Sequence, residues 1–267
     1  LDPITVETAL SGRVANALIF DGPFSPRTHE GHKNGKLTAD RAAAFAAAHA
    51  TDPTPESRYS ARKSEAGESG RRDIDYDCFT STECLEFCNV WVPHCSGWCV
   101  SITDDVLAPE WRRGFEQQEL YAFSPLPLVE TGSRVRMTGD GPSSWVCWIM
   151  VARPKNREFA SWGTLVGAYI QPGERKINSS NGTDRIVGGK PLKSMINIVS
   201  DYSRPGDLVV DPFCGGCTTG LAALRTGRRF IGIEKDPDRA RLCAEILSAE
   251  SKLSTRTEIS RGQVTLF

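Results

Sequence analysis

Residues 206–237 read GDLVVDPFCGGCTTGLAALRTGRRFIGIEKDP. An apolar run, Leu208 to Val210, ends in an acid, Asp211, and a loop of small residues follows. An amphipathic stretch from Thr219 to Arg225 leads to a second apolar run, Arg229 to Ile233, closed by Glu234. Strand, glycine loop, helix, strand, acid is the order by which a doubly wound α/β sheet holds an adenosine-type cofactor at the carboxyl ends of its strands. Gly215 and Gly216 let the backbone turn sharply and approach a ligand that a Cβ would repel. The start of the following helix offers unpaired N–H groups and a partial positive charge. The interval from Asp211 to Glu234 is close to the roughly 20 residues that separate such a loop from an acid accepting ribose hydroxyls. The loop is not G-x-G-x-x-G, which weakens a nicotinamide or flavin reading.

Residues 16–24, NALIFDGPF, repeat the theme near the start of the chain: an apolar strand, Ala17 to Phe20, ends in Asp21 and then turns. Taken alone, DGP is also ordinary turn chemistry. Upstream of the glycine loop, residues 188–207 read GGKPLKSMINIVSDYSRPGD, a helix with Lys190 and Pro191 at its start.

DPFCGGCTT followed by RRFIGIEKDP resembles the S-adenosylmethionine loop of the DNA amino-methyltransferases, whose usual form is DPFxGxGTT, and the Lys-Pro helix resembles the one preceding it. The resemblance is close over Gly188–Pro237. It implies a Rossmann-like methyltransferase fold with S-adenosyl-L-methionine as cofactor. Asp211, Pro212, Phe213, Cys214, Gly215, Gly216, Thr218, Thr219 and Glu234 would surround it, with Lys190 and Pro191 nearby. Cys217 stands where the family has glycine; if that position needs φ > 0, cysteine is strained there, and Cys217→Gly is expected to tighten cofactor binding.

NALIFDGPF is similar to the family's catalytic DPPY motif. The resemblance implies methyl transfer to the exocyclic amine of a flipped base in DNA. Asp21 would accept one hydrogen bond from the amine, the carbonyl of Gly22 or Pro23 the other, and Phe24 would stack on the extruded base. Gly22 replaces the family's first proline and Phe24 its tyrosine. The catalytic strand precedes the cofactor strand, as in the permuted, β-class subgroup that places target recognition between them. Aspartate at the first motif position implies adenine N6. Cytosine N4, an RNA substrate, and a degenerate module that binds nucleic acid without turnover are the alternatives.

The bulk properties fit this reading. A chain of 267 residues suits a single catalytic domain over 1–267. A doubly wound, mixed but mainly parallel α/β sheet of about seven strands with inserted loops is expected. No apolar run reaches membrane-spanning length. The formal net charge of −1 does not advertise nucleic-acid binding, which needs only a local basic surface. Nine cysteines without an evident signal peptide predict reduced thiols in the cytoplasm; the resemblance implies that of a bacterial or phage-infected cell. Cys78, Cys84, Cys88, Cys95 and Cys99, with His94, have spacings within the zinc range. However, Cys84 and Cys88 lie in a helical pattern and Cys99 in a strand, where thiols act as small buried hydrophobes, so no metal is predicted. The Cys214–Cys217 C-x-x-C pair lies in the cofactor loop, which argues against redox work.

Helices are expected at Ala39–Ala50, Thr80–Trp91 and Pro109–Gln117, and strands at Gly97–Thr103, Leu120–Phe123 and Trp145–Val151. Residues 25–76 read as a mobile insertion following the catalytic turn. Its Arg58, Arg62, Lys63, Arg71 and Arg72 are candidate phosphate contacts, set against a solvated loop. In residues 153–187, Arg153, Lys155, Arg157, Arg175 and Lys176 would contact phosphates, with Trp162 and Tyr169 for stacking, and the position before the Lys-Pro helix resembles the family's small target-recognition segment. It is short, so selectivity would be modest or shared across a homodimer.

Overall fold

The computed structural model describes residues 3–29, 77–131, 145–172 and 190–260. In chain order its elements are α1 (Pro3–Leu10), β1 (Ala15–Asp21), α2 (Ser81–Trp91), β2 (Cys95–Thr103), α3 (Ala108–Gln117), β3 (Tyr121–Ala122), β4 (Leu126–Thr131), β5 (Val146–Arg153), β6 (Tyr169–Pro172), α4 (Leu192–Tyr202), β7 (Leu208–Asp211), α5 (Thr218–Arg225), β8 (Arg229–Gly232) and α6 (Pro237–Ser260).

The strands form one eight-stranded sheet, ordered β6-β4-β5-β2-β1-β7-β8 with β3 on β5. β1 runs parallel to β2 and β7, β7 to β8, and β4 to β6, while β5 runs antiparallel to β2, β3 and β4. The doubly wound, mainly parallel plan read from the sequence is the plan that forms. The count exceeds about seven because β4, with Pro127 inside it, and the four-residue β6 carry weak strand signals.

Strands β1 and β7 read as unbroken apolar runs because helices cover both faces of the sheet. Leu18, Phe20 and Val210 join a core with α1, α2 and α3. Ala17, Ile19 and Val209 join a second core with α4 and α5. Phe20 packs 4.6 Å from Phe87 of α2 and 5.2 Å from Trp111 of α3, between ring centroids. Each such buried side chain contributes about 1.5–3 kcal/mol.

Local chemistry sets the element ends. Thr80 caps α2, and Glu83 closes a capping box on the Thr80 amide. Helices α2 and α3 approach so closely that a Cβ on Gly114 would sit 2.6 Å from Cys88 Sγ. The β1–β2 contact is as tight: a Cβ on Gly97 would lie 2.0 Å from the Asn16 carbonyl oxygen, beside a register irregularity in β1. The Asn16 side chain in turn accepts from the Leu208 amide (2.8 Å), tying β1 to β7. That register brings Asp21 and Asp211 out at the same edge.

The described residues that flank 30–76, 132–144 and 173–189 lie at this carboxyl edge. The first follows Asp21, the second joins β4 to the antiparallel β5, and the third runs from the end of β6 to Lys190. The expected helix Ala39–Ala50 lies outside the described residues. Among the described residues no helix is long and apolar enough to cross a membrane.

Candidate active site

The chain leaves β1 for α2 and β2 on one side, and leaves β7 for α5 and β8 on the other, with α2 and α5 on opposite faces. The crevice between the carboxyl ends of β1 and β7 is therefore the topological switch point, where open α/β sheets bind ligands.

The β7 side is built from the glycine loop. Asp211 is buried, and its Oδ1 accepts from the Phe213 amide (2.9 Å). The loop is clamped to β8 by the Cys214 amide on the Ile233 carbonyl (2.8 Å) and the Ile233 amide on the Asp211 carbonyl (2.9 Å). Glu234 Oε2 accepts from the Gly215 amide and Oε1 from the Asp236 amide, both at 3.0 Å. Gly215 has φ +46°, a conformation that suits glycine. Cys217 has φ 59° and ψ 21°, left-handed, at the start of α5, which carries Thr218 and the buried Thr219. The glycine-like position anticipated from sequence is thus filled by a strained cysteine. For L-residues this conformation costs roughly 1–2 kcal/mol. Cys217 is fully buried, so replacement by glycine also removes packed sulfur and leaves the melting temperature little changed. Calorimetry is where Cys217→Gly reads out: about fivefold tighter cofactor binding is expected if ~1 kcal/mol of strain is relieved, and unchanged or weaker binding contradicts it.

The β1 side is built from Asp21 to Phe24. Lys190 Nζ donates to Asp21 Oδ2 at 2.6 Å and lies 5.0 Å from the Phe24 ring centroid. Asp21 Oδ1 is buried and has no hydrogen-bond partner among the described residues. Burial holds the Asp21 carboxyl above its ordinary value, against the opposing pull of the Lys190 ammonium. Burial alone would lower the Lys190 ammonium, but the Asp21 carboxylate more than offsets it and holds it above the ordinary lysine value. Lys190, expected near the cofactor from the family resemblance, pairs with the Asp21–Phe24 turn, and Pro191 is buried as the cap of α4.

The two sides meet. A Cβ on Gly22 would touch the Phe213 ring at 3.5 Å. The Phe79 amide donates to the Phe24 carbonyl (3.0 Å), and the Phe79 ring stands 5.5 Å from that of Phe213. Asp211 is raised to about 7, by burial first and then by the charges of Asp21 and Glu234, against the Thr219 side chain and the Phe213 amide. Because its folded value exceeds the unfolded one, the stability it confers is present below the ordinary carboxylate range and is lost as pH rises through about 7. Denaturant unfolding at pH 5 and pH 8 checks this. Asp211→Asn is expected to shrink the drop between them by a few kcal/mol; an unaltered pH dependence contradicts it.

Asp104, just past β2, is a member of this edge that the sequence reading missed. Its Oδ2 accepts from the Ser25 amide (2.9 Å), the Ser25 hydroxyl (2.5 Å) and the Thr28 hydroxyl (2.6 Å), and its Oδ1 from the Leu107 amide (3.0 Å). Burial would raise this carboxyl, but these donors hold it below the usual range. Asp104 anchors the chain directly after Phe24. Its signal was weaker than that of Asp21 and Asp211: a strand ending in an acid, but with Ser101 and Thr103 breaking the apolar run.

Arg153 and Lys155 fall elsewhere. Because β5 is antiparallel to β2, its end emerges at the amino edge of the parallel strands, away from Asp21. Arg153 sits 5.3 Å from the Tyr121 and Phe159 ring centroids and 5.7 Å from Phe123. Trp162 packs on Trp98 and Arg204, and Tyr169 is buried in β6 with its hydroxyl donating to Asp201 (2.7 Å), so neither ring forms a stacking surface. The segment 153–172 thus lies apart from the crevice. The Arg157 side chain and Arg58, Arg62, Lys63, Arg71, Arg72, Arg175 and Lys176 lie outside the described residues. Cys84 and Cys88 line the buried face of α2, and Cys95 and Cys99 lie in β2.

A family model described as DNA methylase matches residues 57–245. The DNA adenine methyltransferase YhdJ of Escherichia coli (strain K12) is 40% identical over 65 residues, 24% of this chain and 22% of the relative. The type II methyltransferase M2.DpnII of Streptococcus pneumoniae is 38% identical over 63 residues, 24% of each. The chain thus spans about a quarter of the length of the curated relatives it matches. The crystal structure of the M1.HpyAVI–SAM complex superposes with TM-score 0.58 at 17% identity, over 92% of this chain and 96% of that one. The PvuII DNA methyltransferase (cytosine-N4-specific) does so with TM-score 0.51 at 13% identity, over 91% and 87%. At these identities the superpositions establish the fold alone.

Proposed function

Because this chain belongs to the DNA methylase family, we propose that it transfers a methyl group from S-adenosylmethionine to the exocyclic amine of a base flipped out of DNA, adenine N6 first. The observation that carries this reading is Asp21 Oδ1, a buried carboxylate oxygen without a partner among the described residues, in the crevice shared with the glycine loop. Such an oxygen suits an N–H donor brought by a substrate.

The residues present fit the cofactor. Each Glu234 oxygen accepts one backbone amide and retains a further lone pair for a ribose hydroxyl. Gly215 leaves the loop open to close approach, and half-buried Phe213 stands beside it. When bound, S-adenosylmethionine supplies an electrophilic methyl group on sulfonium sulfur. Asp21 accepts one amine hydrogen and the Gly22 or Pro23 carbonyl the other, which draws the amine nitrogen toward tetrahedral geometry and aims its lone pair. Phe24 stacks on the base. Lys190 holds Asp21 Oδ2 and leaves Oδ1 to the amine, and the proton released from the amine passes to Asp21 or to solvent. Positioning and charge supply the rate.

DNA is proposed to lie along the carboxyl edge, where segments 30–76, 132–144 and 173–189 leave the sheet. Arg58, Arg62, Lys63, Arg71, Arg72, Arg175 and Lys176 belong to two of these and stay candidates for phosphate contact. Methyl transfer from labelled cofactor to unmethylated DNA, followed by nucleoside mass spectrometry, tests the reading. N6-methyladenine is expected. N4-methylcytosine moves the target to cytosine, label in RNA alone moves it to RNA, and tight DNA binding without transfer leaves a binding module.

A further inference from the structure

We propose that Cys214, Cys217 and Cys243 form a site for one thiophilic d¹⁰ cation, zinc or copper(I), directly beneath the glycine loop. Their three sulfurs lie within 4.8 Å of one another and all three residues are buried. A Zn–S bond of about 2.3 Å places thiolate sulfurs roughly 3.8 Å apart around a common ion, so closing the cluster asks only for side-chain adjustment. Among the described residues this is the group of cysteine, histidine and acidic side chains arranged to hold a metal, and no fourth such residue joins it. Three soft ligands without a hard fourth select copper(I), or zinc with one position left to an external ligand.

Further features mark the cluster as built rather than incidental. Cys217 keeps its thiol there despite a left-handed backbone at φ 59°, and strain of this kind clusters where function requires it. Gly232 makes room for the group: a Cβ there would sit 2.6 Å from Cys214 Sγ. Cys243 comes from α6 and already donates its S–H to the Gly215 carbonyl at 3.0 Å. Loading one Zn²⁺ on three thiols releases three protons and leaves a complex of charge −1; copper(I) leaves −2. The ion would staple the cofactor loop to α6. This goes beyond methyl transfer and does not depend on it.

The test titrates the reduced, whole chain with Zn²⁺, and separately with copper(I), against a chromophoric chelator in the absence of cofactor. One ion per chain is expected from at least one arm. Cys243→Ser and Cys217→Gly are expected to weaken uptake roughly 100-fold or more, since losing even an outer-shell partner costs about 10–100-fold. Cys217→Gly relieves backbone strain, so its loss of metal cannot be laid to misfolding, and Cys147→Ser is expected to bind as the parent does. No stoichiometric uptake of either ion overturns the proposal, as does uptake untouched by Cys243→Ser. A Cys214–Cys217 disulfide in air-exposed protein, with no metal uptake after reduction, overturns it in favour of a thiol–disulfide pair.

Discussion

Asp21→Ala is expected to lower methyl transfer about 10²–10⁴-fold, the range for a side chain that handles the reacting proton, while cofactor affinity stays nearly unchanged. The substitution removes the proposed acceptor that aims the amine. It also leaves Lys190, only 11% exposed, without its 2.6 Å partner. Breaking a fully buried pair costs about 3–5 kcal/mol. With Asp21 a quarter exposed, about 1–3 kcal/mol is expected here. The two effects separate in the double variant Asp21→Ala/Lys190→Met, which removes both charges. It is expected to recover most of the melting temperature and none of the activity. Activity that returns with stability would make Asp21 a structural residue.

Glu234→Ala is expected to weaken cofactor binding roughly 10- to 150-fold, because hydrogen bonds to a charged acceptor contribute about 1.5–3 kcal/mol. It removes the proposed ribose acceptor and strands the Gly215 and Asp236 amides that Glu234 now satisfies. Glu234→Gln keeps one carbonyl oxygen and is expected to fall between the two in calorimetry. Equal affinity for parent and Glu234→Ala would place the cofactor elsewhere. Turnover at saturating cofactor should change far less than in Asp21→Ala, which distinguishes a binding residue from one acting on the amine.

The β7 half of the crevice was legible in the sequence because its signals are local. Leu208–Asp211, Thr218–Arg225 and Arg229–Gly232 are contiguous, and the glycines between them say where the backbone turns. Asp21 was legible for the same reason. What the sequence hid depends on which strands pair and in which direction. Arg153 looked like a phosphate contact from its basic neighbours, but an antiparallel β5 carries it to the far edge. Tyr169 looked like a stacking ring, but it pairs into the sheet as part of β6 and binds Asp201. The Lys190–Asp21 pair and the Cys243 approach to the glycine loop join residues far apart in the chain, and no spacing rule points to either. Asp104 was harder to read: Ser101 and Thr103 interrupt the apolar run that marks the ends of β1 and β7.

The central claim is that one crevice, between the ends of β1 and β7, holds the methyl donor against the base. The most direct measurement is a crystal structure with the donor cofactor bound. The account predicts the adenosine between Phe213 and Glu234, with the sulfonium methyl facing the Asp21–Phe24 turn, about 3–3.5 Å from where an amine held by Asp21 would sit. A cofactor bound away from the 211–217 loop, or one whose methyl points away from Asp21, would contradict it.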